Sequence, residues 1–424
     1  MTVMTSKGKK RFLSILRMPE NKDKSLHYAV LGLALMGSFM IVSTNVGNTT
    51  SNSLAIVTVS IKQILFIIAG YTAMMLASKL MNFRLIYRLD KILVFVVLLL
   101  MIVPLFGKAY LGSRAWIYLN LGVTTVSIQP SEFCKPLMIV LIASYFYAAQ
   151  QRRSYQRSAW KMLKVPIISY LLFALVILLQ KDIGALAILT LICFGCMQVP
   201  PYPSLVHVQN FTRRLTVLGV CCVLLGMTPI GMPVVEKLSE LPLVDHVATR
   251  FVNAANPLGT EEDDLYGQSY QPANALYGIA NSNIVGQGVG GSSRKFGYLT
   301  QADSDYILAI IVEETGIFGL GFIAICYGII LFRLFKYTFI TNVVHYKTIL
   351  VGTAVYLFAH FVLNVGGVSA FIPLTGVPLL FISSGGTALV SAFTAIGMCQ
   401  YVIVRIRQKE MPKIDKTKQA ALEQ

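Results

Sequence analysis

The sequence predicts an all-α integral membrane protein of about ten transmembrane helices, with one long extracellular loop between helices 7 and 8. Three observations predict it. Of 424 residues, 55% are apolar and 13% charged, whereas about a quarter of the residues in a soluble domain carry charge. Apolar stretches of spanning length recur along the chain, since a hydrocarbon core of about 30 Å takes about 20 helical residues. The charges are also sorted: 36 Lys and Arg against 19 Asp and Glu leave +17, and the basic residues concentrate in alternate connections. With a mean hydropathy of +0.66, this pattern excludes a soluble enzyme, a disordered tail and a fibrous protein.

The expected spans lie near 27–46, 60–80, 90–107, 131–149, 164–180, 183–199, 213–230, 306–335, 346–368 and 378–404. The first is too long for a signal-peptide core and lacks a small-x-small cleavage site, so it reads as a retained signal anchor. Lys7, Lys9, Lys10, Arg11, Arg17, Lys22 and Lys24 precede it. On the same side fall Arg84, Arg88, Arg152, Arg153, Arg157, Lys161, Arg213, Arg214, Arg333, Lys336, Lys347 and the tail from Arg405 to Lys418. The positive-inside rule then places both termini in the cytoplasm. The expected organisation is a basic arm at 1–26, a polytopic membrane domain at 27–404 and a basic tail at 405–424. Topology and anionic lipid headgroups account for the excess base, so nucleic acid is not an expected partner.

The acids sort the other way. Eleven of the 19 lie between residues 231 and 314, in or just beyond the one long outer loop at 231–305. A loop of that length in a compact protein is functional or disordered, and its Tyr, Asn, Gln and Gly content reads as an ordered site loop. Other signals carry less. The seven cysteines fall in apolar runs, which argues against a disulfide framework and makes Cys193-x-x-Cys196 a packing pair. The five histidines lack metal-ligand spacing. Gly286-x-Gly288-x-x-Gly291 matches a dinucleotide fingerprint without its strand-helix context and reads as an elbow beside the site.

Ionisable residues at membrane depth are functional candidates. Glu132 and Lys135 share one face of a helix start at Pro130-Ser131, as an ion pair or with Lys135 turned to an anionic ligand. Arg114 beside Trp116 suits a phosphate headgroup, or an interfacial belt with a snorkelling arginine. Asp182 opens the sixth span as a cap or a partner of Lys181. The densest cluster is Asp303-Ser304-Asp305, followed by Glu313-Glu314. The aspartates could cap the eighth span. Asp305 and Glu313 fall about 80° apart on a helix, so both could face one cavity.

These residues sit in seven ordered motifs: Ser113-Arg114-Ala115-Trp116-Ile117; Gln129-Pro130-Ser131-Glu132-Phe133-Cys134-Lys135; Gln180-Lys181-Asp182-Ile183-Gly184; Gly286 to Ser292; Ser304-Asp305-Tyr306-Ile307; Glu313-Glu314-Thr315-Gly316; and Pro373 to Thr387. In them the chain resembles the SEDS proteins (shape, elongation, division and sporulation) of the FtsW/RodA/SpoVE type, from the first span to the last. The elbow ending in Ser292-Ser293-Arg294-Lys295 looks more like the division-type FtsW branch. The chain departs from the family at Lys181, where Pro is usual, at Thr300-Gln301 for Pro-Glu, at Asp303-Ser304 for His-Thr, and at Ser384 for Tyr.

The resemblance implies a peptidoglycan glycosyltransferase that polymerises lipid II on the outer face and releases undecaprenyl pyrophosphate. On that basis Asp305 is the expected general base. Arg114, Trp116, Glu132, Lys135, Asp182, Glu313, Glu314 and Ser383 are the expected substrate-binding residues. A divalent cation, Mg or Mn, is the one cofactor expected, helping Lys135 and Arg114 at the leaving group. A class B penicillin-binding protein and other divisome or elongasome membrane proteins are the expected partners. The competing classes are a lipid II flippase, suggested by polar residues in a multi-span bundle, and a non-catalytic scaffold.

Overall fold

The computed structural model describes residues 17–48, 53–107, 113–120, 125–240, 245–258 and 269–409. The N-terminal arm to residue 16, the tail from 410, and Glu261, Glu262, Asp263 and Asp264 of the long loop lie outside the described residues. In chain order the elements are α1 (Lys24–Asn48), α2 (Ser53–Leu80), α3 (Phe83–Arg88), α4 (Asp90–Ile102), β1 (Ile117–Asn120), β2 (Thr125–Ile128), α5 (Ser131–Gln151), α6 (Arg153–Gln156), α7 (Ala159–Leu179), α8 (Ile183–Met197) and α9 (Val206–Gly226). They continue with α10 (Met232–Ser239), α11 (Asp245–Ala255), α12 (Tyr270–Asn281), α13 (Ile307–Ile340), α14 (Val344–Val368) and α15 (Gly386–Lys409).

Eight helices are long and apolar enough to cross a membrane: α1, α2, α5, α7, α9, α13, α14 and α15. Two of the ten expected spans are shorter. The helix α4 has 13 residues, extended by a 3-10 turn over Val103–Phe106, and α8 has 15. At 1.5 Å per residue, α8 covers about 22 Å, and Pro200-Pro201 beyond it cannot carry the helix further.

Apolarity on every side marks the central helix. In α5, 83% of the apolar window is buried; in α2 and α9 the figures are 11% and 6%, so these two turn most of their surface outward as lipid-facing helices do. Helix α15 packs along α2, α1 along α13, and α14 against both α5 and α8.

The structure changes the expected map in four places. The last span begins at Gly386 rather than near 378, because Pro373, Gly376, Pro378 and Gly385 break the apolar run. That run becomes an irregular segment at membrane-end level. Three helices, α10, α11 and α12, lie within the long loop. An antiparallel hairpin, with Ile117 opposite Ile128, stands in the connection before α5. Helix α13 is kinked at Gly316, whose φ of +60° and ψ of −146° are open to glycine. The elbow covers the carbonyls freed there: Gln287 N donates to Glu313 O at 2.8 Å and Gly288 N to Glu314 O at 3.0 Å.

At the end of the bundle where α1 begins and α15 finishes, buried Asp23 is clasped by three helices. Arg333 Nε donates to it at 2.9 Å, Arg407 Nη2 at 2.8 Å, Tyr337 Oη at 2.8 Å and Leu26 N at 2.9 Å.

Candidate active site

The opposite end of the bundle carries a cleft of about 380 Å³. Five pieces of chain build it: the hairpin with Gln129 just beyond it, the α7–α8 turn, α11, the segment before α13 and the irregular segment leading into α15. The α7–α8 turn is held from outside. Ser113 Oγ donates to Gln180 O at 2.9 Å, and Gln180 Nε2 to Met101 O at 2.6 Å. The reversal forces Lys181 into the left-handed region at φ +58°. Asp182 then caps α8 by accepting from Ala185 N at 3.0 Å, and its second oxygen accepts from Gln129 Nε2 at 2.7 Å.

The segment carrying Asp303 and Asp305 is fixed through its backbone. Ser383 Oγ donates to Ser304 O at 2.8 Å, Ser384 N to Asp303 O at 2.9 Å, and Asn364 Nδ2 to Asp305 O at 3.1 Å. Gln301 O accepts from Tyr306 N at 3.1 Å, while its side-chain oxygen accepts from Ser304 Oγ at 2.7 Å. The residue at the N-terminal cap of α13 is Tyr306, without a side-chain hydrogen bond, so neither aspartate caps that helix.

Asp305 therefore has a fixed backbone and an uncommitted carboxylate. Among the described residues no donor hydrogen-bonds to it. It also lines a second, adjoining cleft of about 270 Å³ between α11, α12 and α14, and both clefts share Arg250, Gln301 and Gly376. Burial raises its pKa from the usual 3.8 to about 6, helped by the charges of Asp303 and Asp182 and opposed by Arg250. Arg250 is steered by donating to Leu374 O at 3.2 Å.

The expected site residues divide into three groups. Asp305, Trp116 and Asp182 line the cleft. Ser383 sits behind it, buried, accepting from Leu379 N at 2.8 Å while it holds Ser304. The remaining five do not line it. Lys135 is 1% exposed, donating to Glu132 Oε1 at 2.6 Å with His360 Nε2 at 3.2 Å. His360 Nδ1 lies 2.9 Å from Pro378 O, so this buried trio ties the start of α5 to the segment that lines the cleft. Arg114 is exposed, its guanidinium directed at Leu105 O at 3.5 Å.

Glu313 and Glu314 share no cavity with Asp305, although spacing alone allowed it. The kink at Gly316 and the elbow enclose them. Glu313 accepts from Ser292 Oγ at 2.5 Å and Ser293 Oγ at 3.2 Å; Glu314 pairs with Lys295 at 2.8 Å and accepts from Ser43 Oγ at 3.0 Å. Among the described residues no group of three His, Cys, Asp or Glu side chains could hold a metal.

Sequence reasoning missed Arg250. Its signal was the amphipathic period of 248–255 inside the loop, where Ala248, Phe251, Val252 and Ala255 alternate with polar residues.

With the geometry in place, known proteins can be compared. A family model for FtsW, RodA and SpoVE, described as a cell cycle protein, matches residues 24–408. The chain belongs to this family. Among relatives of the FtsW/RodA/SpoVE family, the probable peptidoglycan glycosyltransferase FtsW of Bacillus subtilis is 26% identical over 400 residues, covering 94% of each chain. The stage V sporulation protein E of the same organism is 28% identical over 340 residues, 80% of this chain and 84% of that one. A chain of a solved peptidoglycan synthase complex superposes with a TM-score of 0.63 at 20% identity, covering 92% and 99%. The crystal structure of the rod shape determining protein RodA of Thermus thermophilus gives 0.55 at 18%, covering 91% and 97%. The multi-pass helical fold is thus shared across the FtsW/RodA/SpoVE family. Of the positions where the chain departs from the expected family pattern, Lys181, Gln301, Asp303, Ser304 and Ser384 line the first cleft and Thr300 lines the second.

Proposed function

We propose that Asp305 is the general base with which this peptidoglycan glycosyltransferase joins lipid II units into glycan strands. The observation that carries the reading is a carboxylate with a fixed backbone, no hydrogen-bond donor among the described residues and a pKa raised to about 6, standing where two clefts meet. A base poised near the operating pH, reachable from two sides, suits a reaction that brings two sugar-bearing substrates together. The carboxylate takes the proton of the acceptor hydroxyl as that oxygen attacks the anomeric carbon of the lipid-linked donor, and undecaprenyl pyrophosphate leaves. One displacement with one base inverts the anomeric centre and needs no second carboxylate as nucleophile.

The cations that face the developing diphosphate charge are Arg250 and Lys181, both in the cleft wall. Lys135 and Glu132 serve as positioning residues through His360 and Pro378. Mg or Mn, bound with the diphosphate, would neutralise part of its charge.

The catalytic face is the outer face of the bacterial cytoplasmic membrane, with both termini cytoplasmic; the sorting of Lys and Arg supports this. Likeness to a chain of a peptidoglycan synthase complex supports a class B penicillin-binding protein as the transpeptidase partner. Purified chain incubated with lipid II yields glycan ladders on a gel, and Asp305→Asn yields none. Lipid translocation into vesicles without any polymer would replace this reading with a flippase.

A further inference from the structure

Helix α8 stops short. Its 15 residues cover about 22 Å, whereas α5 and α7, which pack against it, have 21 residues each and reach about 32 Å. Only the longer pair matches a hydrocarbon core of about 30 Å. The depth that α8 leaves free, at the end of the bundle remote from the clefts, is taken up by the connection at 198–205. Pro200 and Pro201 forbid further α-helix there, so its carbonyls need other partners. Gln209 Nε2 donates to Met197 O at 3.0 Å and to Pro200 O at 2.7 Å. Ser204 Oγ donates to Gln156 O at 2.7 Å, and Gln156 Nε2 to Ala149 O at 3.0 Å. The connection is thus pinned to α9 on one side and to α6 on the other.

Between the two lies a recess of about 370 Å³, walled by Arg153, Gln156 and Arg157 and by Tyr202, Pro203 and Ser204. Arg153 and Arg157 are four residues apart on one helical turn and share a face. Among the described residues neither guanidinium has an acceptor or an acidic partner, whereas Arg152 beside them lies over the Tyr155 ring at 5.7 Å. The surrounding chain offers no acid, since neither 133–181 nor 198–235 contains Asp or Glu. Asp23 and Asp90, buried at the same end of the bundle, are engaged elsewhere. Arg333 and Arg407 hold the first, and Tyr145 Oη and Lys91 N the second. One turn past the recess stands Trp160, 60% exposed, a residue type that marks headgroup level. Two lipid-facing helices also begin here: α7 turns Ile168 and Leu171 outward, and α9 turns Phe211 and Leu218 outward.

We propose that this recess binds the headgroup phosphate of an anionic phospholipid, with the acyl chains lying along the outward faces of α7 and α9. Two forked guanidiniums match the oxygens of a phosphodiester, and a basic pocket at the ends of spanning helices is the form such a headgroup site takes. A zwitterionic lipid brings its own cation to the phosphate and competes with the arginines, so the site selects for net negative charge. The inference is independent of the lipid II reading, because it concerns the opposite end of the bundle.

The test uses the full-length purified protein, native mass spectrometry and three probes: phosphatidylglycerol, phosphatidylcholine and the soluble glycerol 1-phosphate. Wild type retains phosphatidylglycerol over phosphatidylcholine by about tenfold or more, the range of one charge-assisted contact. Arg153→Gln combined with Arg157→Gln brings the two lipids within about twofold. Arg84→Gln combined with Arg88→Gln removes the same charge from exposed side chains at the same end, outside the recess, and keeps the preference. On wild type alone, which needs no variant to fold, phosphatidylglycerol shields Arg153 and Arg157 from phenylglyoxal, while phosphatidylcholine and glycerol 1-phosphate at equal concentration do not. A wild type without the preference, or an equal loss in both double variants, would reduce the effect to diffuse charge and overturn the site. Shielding by glycerol 1-phosphate as strong as by the lipid would make the ligand a soluble phosphate and overturn the lipid assignment. Equal shielding by phosphatidylcholine would overturn the selection for charge.

Discussion

Asp23 and Asp305 stand at opposite ends of the same bundle, and their chemistry diverges because of hydrogen-bond donors. Burial pushes both carboxyls up. At Asp23, hydrogen bonds from Arg333, Leu26 N–H and Tyr337 outweigh that push and hold the pKa below its usual value. At Asp305 no donor among the described residues answers burial, Arg250 acts only through its charge, and the pKa rises to about 6. The first arrangement spends its polar groups on holding three helices together. The second leaves a basic oxygen unengaged, which is what a reaction needs.

Breaking the reactive end tests this contrast most strongly. Asp305→Asn removes the proton acceptor while keeping the shape, and polymerisation measured as glycan ladders falls by about 10²–10⁴-fold. The structural end answers in stability instead. Asp23→Ala leaves Arg333 and Arg407 facing a buried vacancy, and thermal or denaturant unfolding loses about 3–5 kcal/mol. Turnover per folded molecule stays near wild type. If both variants lost activity and stability together, the division of labour between the two ends would collapse.

A subtler contrast lies in the sign of the stability change. A carboxyl whose folded pKa is raised gives its full stability below its unfolded value and loses it as pH rises through the folded pKa. Asp305→Asn is therefore more stable than wild type at pH 7, by about 1–2 kcal/mol, and the advantage vanishes below about pH 4. An equally stable pair at both pH values would remove the buried-carboxyl argument. At Asp23 the pKa is lowered, so its contribution is present at neutral pH and fades on acidification.

The smallest effect sharpens the role of Arg250. Arg250→Gln removes the one charge that lowers the Asp305 pKa. The acid limb of the pH–rate profile moves upward by about one unit or less. An unmoved limb would detach Arg250 from the base.

Much of this was legible in the chain because a bilayer imposes strict rules. Length, apolarity and the placement of Lys and Arg give the spans, and seven short motifs give the family. Legibility failed where residues act at a distance. Lys135 had two readings in sequence, an ion pair with Glu132 or a ligand-facing cation, and only the fold shows it paired with Glu132 beside His360. Glu313 sits at a helical spacing that allowed it to face Asp305, but the kink at Gly316 encloses it. Arg250 was marked only by the amphipathic period around it, which shows a helix but not which cleft the helix wall enters.

The sequence by itself determined the membrane-spanning helical class and the family. These follow from local rules: hydrocarbon thickness, helix breakers and motif order are properties of neighbouring residues. Only the tertiary structure decided which charges meet. Desolvation and donor geometry depend on segments that lie far apart in the chain, and they left Asp305 open and closed the Glu132–Lys135 pair.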